Sequence, residues 1–320
     1  MRLPHSLINS KFFLFDSAVE LVGAVGSDIS QDDIAEIQRL DELGLAPVIS
    51  RDVLAVMIGV NPGLIWSMER NPSKYYRHFI IKKGKGNRHI FAPKVALKII
   101  QKWLSHQFGE IYSPPEHVFG FVPGRSHLQA ASVHCGASWV FSVDIKDFFP
   151  SITAAQVQNT FVAMGYNASA SEFITRFCCL SGVLAQGAPT SPILSNLAFR
   201  EADKKIADIA SHYEARLSRY ADDIVFSGTG ELPTDLPTKV AQLFDELPWN
   251  LAPEKTEAAI LPKRLKVHGL LVHGNHIRLT KGYRNRIRAY QHLLASGKIL
   301  EEDRKRVEGH LKYASQVSGS

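Results

Sequence analysis

Residues 217–227 read Leu-Ser-Arg-Tyr-Ala-Asp-Asp-Ile-Val-Phe-Ser, two short strand segments joined by a tight turn that holds two acids. Carboxylates held that close repel one another unless a cation intervenes. A third acid, Asp144, ends the near-continuous apolar segment 140–145, where a carboxylate is costly unless something compensates it. Mg²⁺ takes hard oxygen ligands, few of them from protein and the rest from substrate phosphates. Two such ions would activate a hydroxyl nucleophile and stabilise a leaving pyrophosphate in an in-line displacement. Taken alone, an Asp-Asp turn is most simply a solvated turn. The cation-site reading rests on the segments around it.

Those segments alternate strand and helix. Residues 76–81 and 88–91 form a predicted hairpin around the basic turn 82–87, Lys-Lys-Gly-Lys-Gly-Asn. The turn lacks the Gly-x4-Gly-Lys-Ser/Thr spacing of a P-loop, which leaves an exposed soluble turn or a phosphate-gripping tip. Helices are expected over 95–108, 153–164 and 171–180, and a Gly/Pro/Ser-rich loop over 186–196 leads into another. Strands with acids at their ends, mixed with helices, predict an α+β architecture. Residues 1–73 read as helices opened by the N-caps Ser30 and Ser50. Their helix-turn-helix look is offset by their charge, five basic against ten acidic residues. That favours a packing role over DNA binding.

Charge is uneven elsewhere too. Residues 262–320 hold thirteen Lys/Arg and four Asp/Glu, a surplus of +9 in a chain whose total is +6. A basic end suits a polyanionic partner, with a solvated face as the competing reading. Arg284, Arg286 and Arg288 lie on one predicted helix beginning near Thr280. The three cysteines cannot build a disulfide framework, and Cys178 and Cys179 are adjacent; reduced thiols in a cytoplasmic protein are expected. No apolar run approaches a membrane span, and no membrane partner is expected. His268, His273 and His276 match no usual ligand set, so a solvated or RNA-facing role is expected for them.

Seven segments, taken in order, resemble one family. Asp144-Ile145-Lys146-Asp147-Phe148-Phe149-Pro150-Ser151-Ile152 looks like the first catalytic motif of reverse transcriptases. Residues 186–197, from Gln-Gly-Ala-Pro-Thr-Ser-Pro onward, are similar to the next, and Tyr220-Ala221-Asp222-Asp223 to the box at the active site. Leu251-Ala252-Pro253-Glu254-Lys255-Thr256 resembles the motif after it, and Val267-His268-Gly269-Leu270 the primer grip. Arg88-His89-Ile90 and Gly120-Phe121-Val122-Pro123-Gly124-Arg125-Ser126 complete the set, over about residues 75–315.

The resemblance implies a right-hand polymerase fold with fingers, palm and thumb: a helical extension over 1–73, fingers and palm over 74–261, and a primer grip with a basic helical thumb over 262–320. It implies an RNA-directed DNA polymerase using two Mg²⁺ ions, with Mn²⁺ as a substitute. Asp144, Asp222 and Asp223 would be catalytic and metal-binding, with the Ile145 carbonyl as a further ligand. Phe149 matches the steric gate against a ribose 2′-hydroxyl, although a plain core aromatic is the alternative. Gln186 would line the sugar of the deoxynucleoside triphosphate, and Arg88 with Lys82 or Lys83 would clamp its phosphates. Lys255 would approach the leaving phosphate, or is simply solvated.

The compact length and missing nuclease domain look most like the retron class. Such enzymes copy a cognate structured RNA, primed from an internal guanosine 2′-hydroxyl, into branched RNA-linked DNA (msDNA), and resemble antiphage modules with an operon-encoded effector protein. His134, in an element whose usual Asn is here Ala130, and Arg284, Arg286 and Arg288 would bind RNA. His268 replaces the usual Thr of the Val-Thr-Gly element. Competing readings are a diversity-generating, CRISPR-associated or phage-defence reverse transcriptase, or a scaffold that holds RNA–DNA and restrains an effector.

Overall fold

The computed structural model describes residues 4–27, 29–83 and 86–318, apart from the side chains of His5, Lys83 and Ser318. The chain forms two compact units, each drawn from separated stretches of sequence: Met1–Ser113 with Asp147–Glu201, and Pro114–Lys146 with Ala202–Ser320.

The first unit is mainly helical. Ser17, Ser30 and Ser50 each accept a hydrogen bond from the backbone N–H three residues on, which starts the helices Ala18–Val25, Gln31–Glu42 and Arg51–Ile58. These helices bury Leu21, Ile37, Leu40, Val53, Leu54 and Met57. The N-terminal segment is tied to the long helix Val95–Ile111, where Trp103 Nε1 donates to the Ser10 carbonyl and Gln107 Nε2 to that of Ile8. The Tyr166 hydroxyl donates to the Ala46 carbonyl, and Arg176 pairs with Glu69 of the helix Pro62–Arg70. Cys178 and Cys179 are buried free thiols whose pKa values burial pushes up, that of Cys179 to about 12.

A hairpin of strands Tyr76–Lys83 and Gly86–Pro93 leaves this unit with Phe79, Ile80 and Ile81 about half exposed. The paired strands run further than sequence indicates. Lys82 pairs with Asn87 and Lys83 with Gly86, so the expected six-residue turn shrinks to residues 84–85, which lie outside the described residues. The ladder runs on past the apolar run Phe79-Ile80-Ile81 and through both lysines.

The second unit is built on a four-stranded antiparallel sheet in the order Arg216–Tyr220, Asp223–Gly228, Trp139–Asp144, Glu257–Ile260. Strand alternation separates its two faces. Phe141, Val143, Ile224 and Phe226 lie on one face and are buried. Val140 and Val225 lie on the other. They join a continuous apolar core with the small sheet Lys266–Val267, Leu270–Leu271, Arg278–Leu279 and the helices Lys281–Ala295 and Glu301–Ser318. The basic C-terminal helices therefore share a core with the acid-bearing sheet. No helix among the described residues is long and apolar enough to cross a membrane.

Candidate active site

Strand register places the three acids. Asp144 and Asp223 are cross-strand partners at the end of one sheet face, and Asp222 occupies the two-residue turn beside them. Directly opposed residues in such a pair bring their Cβ atoms to about 5 Å. The effect appears in Asp144, whose pKa is raised by burial and further by the charges of Asp222 and Asp223, against the lowering pull of Lys255.

The turn is held in an unfavourable conformation. Ala221 sits at φ +59°, in the left-handed region that costs an L-residue about 1 kcal/mol. Three supports offset this strain. Residues 117–120 add a parallel edge to the sheet, with Phe119 N–H donating to the Arg219 carbonyl at 2.8 Å. A Cβ on Gly120 would lie 2.2 Å from the Ala221 nitrogen, so only glycine lets the backbone pass here. From the opposite face, fully buried Arg219 makes a bidentate pair with Asp203, both contacts at 2.6 Å, and donates Nη1 to the Ala221 carbonyl at 3.1 Å. Burial pushes Asp203 up, but Arg219 and His117 outweigh it, and its pKa is lowered. Arg219, Asp203 and Gly120 are supports whose roles sequence reading missed. An arginine just ahead of the turn acids, in a strand with a buried centre, was the available signal.

The segment 250–252 locks the end of the Asp144 strand. Lys146 N–H donates to the Asn250 carbonyl and Ala252 N–H to the Asp144 carbonyl, at 2.9 and 2.8 Å. The short turn Pro253–Lys255 then delivers Lys255, whose ammonium lies 2.5 Å from Asp144 Oδ1. Lys255 is thus held at the acids rather than merely solvated. Burial lowers its pKa, but Asp144 and Asp222 raise it by more, keeping it charged. Ile145 N–H donates to the Asp222 carbonyl at 2.9 Å, tying the first acid segment to the turn.

His268 departs from expectation. It is neither solvated nor on an open surface: its side chain is 7% exposed and Nδ1 donates to Asp223 Oδ2 at 3.0 Å. Its ring tilts against Tyr220 at 5.4 Å, and Tyr220 meets His127, which stacks on Tyr313 of the C-terminal helix. A ladder of rings thus runs from that helix to the acids.

His134 is likewise corrected. It is fully buried, with Nδ1 on Ser227 Oγ and Nε2 on Ser218 Oγ, both at 2.7 Å. It cross-links the two strands of the acidic hairpin, so neither ring nitrogen is left to meet RNA. Burial drives its pKa down to about 3, which keeps the ring neutral.

The three arginines expected to act together do not share a face. Arg284 and Arg288 line a cavity beside Arg278, while the guanidinium of Arg286 lies over the Tyr283 ring, 5.9 Å from its centre.

Apart from Lys255, which belongs to the second unit, the residues expected at the nucleotide belong to the first unit. Lys82 and Arg88 lie on the hairpin arm, with Arg88 opposite Ile81; the side chain of Lys83 lies outside the described residues. Gln186 is fixed at the foot of the arm, its carbonyl accepting from Phe91 N–H at 2.8 Å. A Cβ at Gly187, where φ is +114°, would meet Ile90 at 2.9 Å, so this junction also needs glycine. Phe149 is partly buried against Phe148, which packs on Phe199.

The oxygen set suits a hard divalent cation. Among the described residues no three acidic, histidine or cysteine side chains are gathered into a ready-made metal-binding group. Magnesium seldom uses one, relying on one or two carboxylates with waters and substrate phosphates. Asp144, Asp222 and Asp223 provide such an open, partly exposed set.

The reverse transcriptase (RNA-dependent DNA polymerase) family matches residues 80–281. The retron Mx65 reverse transcriptase of Myxococcus xanthus is 30% identical over 315 residues, covering 90% of this chain and 73% of that protein. The retron Ec86 reverse transcriptase of Escherichia coli is 31% identical over 254 residues, covering 76% of this chain and 77% of its own. The retron Ec73 reverse transcriptase of E. coli is 28% identical, with coverage of 80% and 87%. With acids paired across two strand ends in an α+β fold and this breadth of similarity, the chain belongs to the retron-type reverse transcriptases, which are RNA-directed DNA polymerases.

Proposed function

We propose that this chain copies a cognate structured RNA into single-stranded DNA that stays joined to it through a 2′–5′ branch, from a cytoplasmic ribonucleoprotein that serves antiphage defence beside an operon-encoded effector. The observation that carries the chemistry is the opposed pair Asp144–Asp223, with Asp222 in the adjoining turn. The carboxylates, with the Ile145 carbonyl, would hold two Mg²⁺ ions. Those ions would supply activation of the primer hydroxyl and stabilisation of the leaving pyrophosphate. Lys255 keeps Asp144 oriented and offers a proton donor beside the leaving group. His268 fixes the second oxygen of Asp223 through Nδ1. Arg88 and the arm lysines bind the triphosphate of the incoming deoxynucleotide, Gln186 lines its sugar, and Phe149 excludes a 2′-hydroxyl. The fingers, palm and thumb follow the segments 74–261 and 262–320, with 1–73 as a helical extension.

The retron product tests this reading. Protein purified from its native operon should carry nucleic acid sensitive to both RNase and DNase, with DNA released from RNA only after 2′–5′ debranching. The Asp222→Asn protein should carry RNA alone. Wild-type protein carrying DNA without a branch, or no DNA, would place the enzyme in another reverse transcriptase class.

A further inference from the structure

The C-terminal helices and the segment 276–279 line an open cavity of about 820 Å³ that none of the polymerase roles uses. Its floor is formed by Ile277, Ile287 and Val317, buried members of the unit's apolar core. Its rim carries Arg284 and Arg288, one turn apart on the helix Lys281–Ala295, and Arg278 from the adjoining strand. All three arginines are exposed. Arg278 is set in place by its bond to the His273 carbonyl at 2.7 Å. No carboxylate lines the cavity, and among the described residues Arg284 and Arg288 have no acidic partner.

This combination selects its occupant. A purely apolar ligand would make no use of the three guanidinium groups at the rim, and free phosphate would make none of the apolar floor. An unstacked nucleotide answers both: the base enters over the floor, and its flanking phosphates meet planar forks suited to phosphate oxygens. The volume lies within the range of small-ligand pockets. A base locked in a duplex cannot enter, whereas proteins that read RNA commonly take unpaired bases splayed from a loop or bulge.

We propose that this cavity is the seat of one unpaired nucleotide of the RNA bound by the thumb, making the basic lobe a reader of unpaired sites as well as of phosphate charge. The proposal rests on the RNA-binding reading of this lobe and assigns Arg284 and Arg288 to it, but not Arg286.

The test uses the full-length protein with two probes, a short fluorescent oligouridylate and an RNA duplex of the same length. Arg284→Gln and Arg288→Gln should each weaken oligouridylate binding about tenfold, as expected for a lost charge-assisted contact of roughly 1.5 kcal/mol. Arg286→Gln, an equal change in charge outside the cavity, should weaken it less than about twofold. Leu311→Trp, which crowds the cavity without altering charge, should reduce oligouridylate binding and spare the duplex. Equal losses for Arg284→Gln and Arg286→Gln would overturn the seat in favour of general charge attraction. Full competition by the duplex, or by a polyglutamate peptide, would overturn it in favour of a helical or protein partner. Extension of oligo(dT) on poly(rA) by the same preparations is the separate arm. Its failure in wild-type protein would sink the polymerase reading without touching the binding result.

Discussion

Two hairpins carry some of the residues assigned to nucleotide chemistry, and they are built in opposite ways. The acidic hairpin 216–228 forms one side of a four-stranded sheet and is fixed from both faces, by His134 on Ser218 and Ser227 and by Arg219 on Asp203. The basic hairpin 76–93 pairs with no third strand among the described residues, and exposes Phe79, Ile80 and Ile81. It is fastened near its base, where Phe91 N–H meets the Gln186 carbonyl and Lys94 N–H that of Tyr75. A two-stranded ribbon is marginal by itself, and such elements open locally at low free energy. The difference fits the tasks proposed for them. Carboxylates that must meet a reacting phosphate need fixed placement, because small displacements are expensive in rate. A cationic arm that gathers a triphosphate needs reach and charge more than rigidity.

The sharpest way to break this comparison is Gly120→Ala. The new Cβ, 2.2 Å from the Ala221 nitrogen, must displace the acidic turn. We expect kcat to fall roughly 10²-fold and stability to drop by about 1–3 kcal/mol, read from single-turnover extension and urea unfolding. Near-normal kcat would mean that the turn tolerates movement. Arg88→Ala on the arm should do the reverse. Loss of one charge-assisted contact of roughly 1.5 kcal/mol should raise the KM for deoxynucleotide about tenfold, with the melting temperature unchanged. A stability loss matching that of Gly120→Ala would erase the distinction between the hairpins.

The smallest effect is in pH dependence. His134 titrates near 3 when folded, well below its usual value of about 6.5 when unfolded. The unfolded chain therefore binds the extra proton between these values, so stability rises with pH there. The contribution is complete above about pH 6.5 and is lost as the pH falls toward 3. His134→Gln can still bridge the two serines but does not titrate. Its stability between pH 7 and 5 should fall less than that of the wild type, by about 1–2 kcal/mol. Identical pH profiles would remove His134 as a buried neutral tie.

What was legible in the sequence was mostly local. The caps Ser30, Ser50 and Thr280 bond within three residues of themselves, so their helices could be placed from neighbours alone. The Asp144 and Asp222-Asp223 segments were legible because an acid at the end of an apolar strand conflicts with burial. The supports were not, since they join distant positions: Arg219 to Asp203 across 16 residues, and His134 to Ser218 and Ser227 across 84 and 93. For the same reason His268 could not be placed on Asp223, which lies 45 residues away. Helical phase separates Arg286 from Arg284 and Arg288, and only the packing of Tyr283 reveals which face is which.

Primer extension by Asp222→Asn on a defined RNA template, with Mg²⁺ present, tests the central claim most directly. The substitution keeps shape and removes one charge from the acid cluster. DNA synthesis should fall by roughly 10²–10³-fold or more, while the melting temperature and RNA affinity stay at wild-type values. Extension at a near-normal rate would contradict the account, because the opposed acids would then have no part in the chemistry.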